Sequence, residues 1–337
     1  MVLVIEWVSP WVGRCSREST ALGCSTAVLG PRHSRVRGRR VLSPTDESSR
    51  STLVAVEQQH WPHPPVTAHR REATEDESRH ANGLDWDRYA DEYQATHGDF
   101  LGDVGFVWGP EGLTEAQAGI LGPLVGKDVL EVGSGAGQCS RWIRDQGGRA
   151  FGLDLSHRQL QHSLRIDEET GIAVPSVRGT ATVLPFADGS FDVVFCAFGA
   201  LQFVADIERA VAEAARVLRP GGRFAFSITH PTRWMFPDDP TEEGLTATQP
   251  YWDRTPYVEV DDTTGAIAYV EHHRTLGDWV GILAGAGFHL TTLLEPEWPA
   301  GHDRLWGGWS AVRGRLTPGT AIFGADLLTG TRSGPLV

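Results

Sequence analysis

Between residues 128 and 229 the chain alternates short apolar runs with amphipathic ones, and this alternation limits its fold more than any other feature. DVLEV, RAFGLDL, AVPSVRG, FDVVFCAF and GRFAFSIT read as buried strands, rich in β-branched and aromatic residues. Between them, QCSRWIRDQ ends at Gly147 and Gly148, and SHRQLQHSLRIDEET opens on a capping box of Ser156 and Gln159 and stops at Gly171. VADIERAVAEAARVL is closed by Pro220 and Gly221. Strand after helix after strand predicts an α/β, doubly wound, mostly parallel sheet with helices on both faces. Upstream, WDRYADEYQ reads as a short amphipathic helix, and Thr114 caps a second one running through LTEAQAGILGPLV to Gly126. Such sheets bind ligands outside the carboxyl ends of their strands, where the strand order reverses.

VLEVGSGAGQCS stands at that position, at residues 129–140. Glu131 opens it, and Gly133, Gly135 and Gly137 follow within five positions, a spacing that suits a tight turn with bare backbone pressed against a ligand. The dinucleotide fingerprint GxGxxG would need glycine at 138, where Gln138 stands, so the loop departs from the nicotinamide pattern. No GxxxxGK[ST] occurs, and Lys127 is the single lysine, which argues against a phosphate-gripping loop. Asp154 ends the second strand of the series, 19 residues after Gly135, where a carboxylate accepts hydrogen bonds from ribose hydroxyls. A nucleoside-bearing ligand is expected.

Over about residues 84–326 the chain resembles the class I S-adenosylmethionine-dependent methyltransferases of small-molecule type. VLEVGSGAGQ matches the first motif, GLDLS the second, GTATVLPFADGSFDVVFCAFGALQFV the third and fourth, and EAARVLRPGGRFAFSI the segment leading into the fifth strand. The resemblance implies a seven-stranded, Rossmann-like methyltransferase fold and S-adenosyl-L-methionine as cofactor. It places Gly133, Ser134 and Gly135 against the methionine part, with Glu131 and Gly137 framing the loop, Asp154 on the ribose and Leu155 on the adenine. Thr180 and Ala181 would lie at the adenine edge, and Cys196 and Ala197 on the floor near the methyl donor. Two positions depart from the pattern: Thr180 replaces a common Asp, and Gln202 a frequent His.

Charge divides the chain. The first 80 residues hold 11 Arg against 9 Asp and Glu, so the net charge of −13 falls on the remainder as −15. An acidic body weighs against nucleic acid as partner, and so against an RNA methyltransferase. Residues 1–80, rich in Ser, Arg, Pro and Gly, are expected to be a disordered extension, and 81–330 the methyltransferase domain. No apolar run is long enough to span a membrane, and the N-terminal stretch lacks a basic segment before its apolar residues, so a cytoplasmic protein is expected. Cys15, Cys24, Cys139 and Cys196 have no metal-ligand spacing, and no metal is expected. The segment at about 230–270, irregular and rich in aromatic residues, is expected to be a substrate lid in which Trp234, Phe236, Tyr251, Trp252 and Tyr257 wall the acceptor. His230, His272 and His273 are the candidate general bases, because imidazole titrates near neutral pH. A small-molecule acceptor is the expected partner, with a homodimer left open. The rival classes are a nicotinamide oxidoreductase and a catalytically silent cofactor-binding protein.

Overall fold

In a computed structural model, residues 65–198 and 200–329 are described. Seven strands form one sheet: β2 (Asp128–Val132), β3 (Arg149–Asp154), β4 (Ser176–Arg178), β5 (Phe191–Cys196), β6 (Leu218–Thr229), β9 (Phe288–Leu294) and β10 (Thr320–Leu327). Their order is β4-β3-β2-β5-β6-β10-β9. The first five run parallel, and β10 is antiparallel to both of its neighbours. The central strands β2, β5 and β10 are mostly buried and largely apolar because the sheet is covered on both faces there. Leu130, Cys196, Phe226 and Phe323 enter one core, while Val129, Phe195, Ala225 and Ile322, their chain neighbours, enter the other. Phe226 and Phe323 stack across the β6–β10 pair at 4.8 Å and 12°. Each such ring contributes roughly 1.5–3 kcal/mol by burial.

The first core is completed by α5 (Ile207–Val217) and α6 (Leu276–Gly285), the second by α3 (Gln138–Asp145) and the segment 106–124. The chain moves from β2 outward to β3 and β4, then returns to β5 on the other side of β2. The reversal therefore lies between β2 and β5, and the crevice beyond their carboxyl ends is the expected ligand position.

A second, antiparallel sheet of order β1-β7-β8 joins β1 (Val66–Arg70), β7 (Tyr257–Asp261) and β8 (Ile267–Glu271). It packs on α1 (Glu75–Leu101) through Val258, Val270 and Ala81. Four expectations need correction here. Residues 65–80, taken as part of a disordered extension, contain β1 and the first turn of α1, because β1 pairs with β7 along its whole length; residues 1–64 lie outside the described residues. The helix expected at WDRYADEYQ extends over 27 residues, started by a capping box of Thr74 and Glu77. The helix expected from Thr114 to Gly126 is one turn, α2 (Glu115–Ala118), because Gly119 turns left-handed at φ 61° and the Glu115 carboxylate accepts from the amides of Ile120 and Leu121. The segment expected to be a lid also contains β7 and β8, so part of it is sheet rather than loop.

Candidate active site

The loop after β2 is held from three sides. The amides of Gly133 and Ser134 both donate to the Leu153 carbonyl, at 2.8 and 3.2 Å. Gly133, Gly135 and Gly137 have φ of 80°, 53° and 81°, values that other residues adopt only with strain. Gly137 starts α3, and a Cβ there would meet Ser163 Oγ at 2.6 Å. Glu131 Oε2 accepts from the Ser140 amide at 3.0 Å and from Ser140 Oγ at 2.6 Å, tying β2 to the first turn of α3. Burial pushes the Glu131 carboxyl up to about 8, against the hydrogen bonds from Ser140.

A cleft opens beside this loop, between the end of β2, α1 and the segment after β5. Glu131, Gly133, Ser134, Gly135 and Ala197 line it. Its other wall is aromatic: Tyr93 and Phe100 of α1, Phe198 after β5, and Trp306. Phe198 meets Trp306 edge to face at 6.2 Å, and the Trp306 indole stacks on His97 at 3.9 Å. Tyr93 Oη, Ser134 Oγ and Gln159 Nε2, all on lining residues, are buried without a hydrogen-bond partner. Leaving such groups unpaired costs about 1–3 kcal/mol each, so the cleft is built to be completed by a polar ligand.

The remaining expected cofactor residues stand back from the cleft. Asp154 is fully buried, and its two oxygens accept from the amides of Gly135 at 2.7 Å and Ser156 at 2.8 Å. It therefore fixes the loop from behind, and burial raises its carboxyl well above the usual range. Leu155 is covered by α1, where a Cβ added at Gly83 would lie 3.2 Å from it. Thr180 and Ala181 are buried, with Thr180 Oγ1 3.0 Å from Thr182 Oγ1. Cys196 is buried and its thiol pushed up to about 12 by desolvation, which makes it a core residue rather than a nucleophile.

The three histidines also stand outside the cleft lining. His230 follows β6 but is turned toward β9, with Nε2 2.7 Å from Glu295 Oε1 and Nδ1 2.8 Å from Thr232 Oγ1. Burial lowers its pKa and the Glu295 carboxylate opposes this. His272 and His273 line a separate groove beside α6, because β8 belongs to the second sheet and leads into that helix. His272 Nε2 is 3.0 Å from Ser78 Oγ, and burial holds its pKa down to about 3. The aromatic residues expected to wall the acceptor pack elsewhere: Trp234 lies near Tyr257 and His273 and under Arg70, Tyr251 lies against His273, and Trp252 is 70% exposed. The wall that does line the cleft comes from α1 and from Trp306, and only the Trp-rich composition of LWGGW at 305–309 hinted at the second.

Residues 130–226 match a family described as a methyltransferase domain. A demethylmenaquinone methyltransferase of Tropheryma whipplei is 36% identical over 124 residues, which are 36% of this chain and 50% of that protein. A ubiquinone/menaquinone biosynthesis C-methyltransferase of Roseobacter denitrificans is 40% identical over 113 residues, 32% of this chain and 45% of that protein. The chain thus spans about half the length of the curated relatives it matches. Among solved structures, an S-adenosylmethionine-dependent methyltransferase from Mesorhizobium loti superposes with a TM-score of 0.50 at 26% identity, covering 65% of this chain and all of that one.

Proposed function

From the premise that residues 130–226 are a methyltransferase domain on a sheet of the class I, S-adenosylmethionine-dependent type, we propose that the protein methylates a small planar aromatic acceptor, of which a reduced quinone is the leading candidate. The observation that carries this is the cleft itself, with the glycine loop on one side and Tyr93, Phe100, Phe198 and Trp306 on the other. The curated relatives named for demethylmenaquinone and ubiquinone point to the same class of acceptor.

Bound S-adenosyl-L-methionine would supply a methyl group already activated by the sulfonium. The protein's part is then positioning and exclusion of water. Gly133 to Gly135 present bare backbone, Glu131 offers a carboxylate to an ammonium, and Ser134 Oγ and Gln159 Nε2 offer unused hydrogen-bonding capacity. Tyr93 Oη orients an oxygen of the acceptor. A ring lying between the aromatic side chains is held with its nucleophilic atom toward the loop. Among the described residues no histidine lines the cleft. Catalysis here rests on alignment, with the acceptor's proton passing to solvent.

The test has two arms. Isothermal titration measures S-adenosylmethionine affinity in the native protein and in Asp154→Ala, which frees the amides of Gly135 and Ser156. A loss of about 30- to 1000-fold, or roughly 2–4 kcal/mol, is expected. Methyl-labelled cofactor is then offered with demethylated naphthoquinols and with simple phenols, and label should move to the former. Unchanged affinity in Asp154→Ala sinks the cofactor assignment. Strong cofactor binding without label transfer to any quinol sinks the acceptor assignment alone.

A further inference from the structure

A groove beside α5 and α6 shares no lining residue with the cleft. On α6, Gly277, Gly281 and Gly285 recur at intervals of four and so fall on one face. All three line the groove, with Ala205 and Ala212 also in its wall. A Cβ at Gly281 or Gly285 would meet nothing within 4 Å, so packing inside the protein does not explain the glycines. They leave bare helix backbone open to a flat occupant.

Two polar groups of the lining are unsatisfied. His273 is 2% exposed, and its Nε2 lies 2.7 Å from the Tyr251 carbonyl. A carbonyl only accepts, so Nε2 carries the proton and Nδ1 keeps its lone pair. That Nδ1 is buried without a partner. Arg274 donates through Nη2 to the carbonyls of Val204 and Ala205, at 2.7 and 2.8 Å, while its Nη1 is buried with no acceptor. Glu72 and Glu208 also line the groove, and Arg254, which lines it too, is already held by both oxygens of Asp278. The groove thus combines an unused cationic donor, an unused acceptor and two carboxylates.

We propose that this groove binds a zwitterionic α-amino acid with a flat apolar side chain. The carboxylate pairs with Arg274, the ammonium donates to His273 Nδ1 and is drawn by Glu72 and Glu208, and the side chain lies on the glycines of α6. A ligand of one sign matches only half of this pattern: an anion meets the two glutamates, and a cation meets Arg274. The probe is L-phenylalanine, titrated into the full chain and followed by calorimetry or protein-observed NMR. Saturable binding is expected, with 3-phenylpropanoate and phenethylamine each at least tenfold weaker. Gly281→Leu fills the groove at an exposed helical position with no neighbour to clash, and leucine is the better helix former, so the variant folds. It should lose phenylalanine binding while its melting temperature does not fall. Failure of the native protein to bind phenylalanine overturns the proposal, and so does equal binding by Gly281→Leu or equal binding of all three probes.

Discussion

Phe198 has φ 45°, a left-handed conformation otherwise taken among the described residues only by glycines. A residue with a Cβ is strained there by roughly 1–3 kcal/mol, and such residues gather at functional sites. This one lies two residues beyond the end of β5, at the reversal point, and it forms part of the cleft wall. Side chains should rank there in an unusual order. Phe198→Gly removes the strain as well as the ring, whereas Phe198→Val keeps a β-branched side chain in the least suitable conformation. In urea unfolding, valine should cost more than glycine by about 1 kcal/mol or more, and both should slow methyl transfer. Valine proving the milder change would mean that the backbone relaxes freely. The sequence could reveal glycines 133, 135 and 137, because a glycine advertises the turn it permits. Phe198 reads as an ordinary strand residue, since nothing in a phenylalanine reports the sign of its φ.

Helix α1 shows why element boundaries were harder to read than element types. Its buried face includes Ser78, Asn82, Gly83 and His97 among Trp86, Tyr89 and Tyr93, so the apolar period is legible only in the middle. What docks its N-terminal half is polar. The Asn82 amide donates to the Val270 carbonyl at 3.0 Å and accepts from the Val270 amide at 2.9 Å, replacing a strand neighbour for β8. Glu75 likewise accepts from the amides of Ala205 and Asp206 at 3.0 and 3.1 Å. Hydrophobic periodicity is blind to such contacts, and for the same reason residues 65–80 read as featureless. Asn82 is 0% exposed, so Asn82→Ala strands two buried backbone groups and should cost about 2–4 kcal/mol in urea unfolding, with faster proteolysis near the start of α1. A loss below about 1 kcal/mol would show that the helix is held by its aromatic residues alone. The central strands and the glycine loop, in contrast, follow from local patterns, and there the expectations agree with the structure.

Across the whole molecule, buried titratable groups pull stability in two directions. Burial pushes Glu131 up to about 8 and Glu111 up to about 7, so the folded chain keeps protons that the unfolded chain sheds above about pH 5. More protons on the folded state means that stability declines as pH rises through that window. Burial also holds His97 and His272 down to about 3, so below about pH 6.5 the unfolded chain binds protons that the folded one refuses. That contribution grows with pH and is complete by about 6.5. Above that value only the carboxyl trend remains, and the melting temperature should fall between about pH 6.5 and 8.5. Glu111→Gln should flatten the decline, and a melting temperature that rises over this range would contradict the assignment. The reversed strand β10 carries a consequence in time. It enters between β6 and β9, and its Asp326 pairs with Arg223, 103 residues earlier in the chain. A polypeptide emerging from the ribosome must therefore keep one side of β6 open, with Phe224, Phe226 and Ile228 poorly sheltered, until nearly all of the described chain has been made. The sheet cannot grow strand by strand from its rim; it closes when a late arrival is driven in like a keystone, and until then chaperones and proteases compete for the gap.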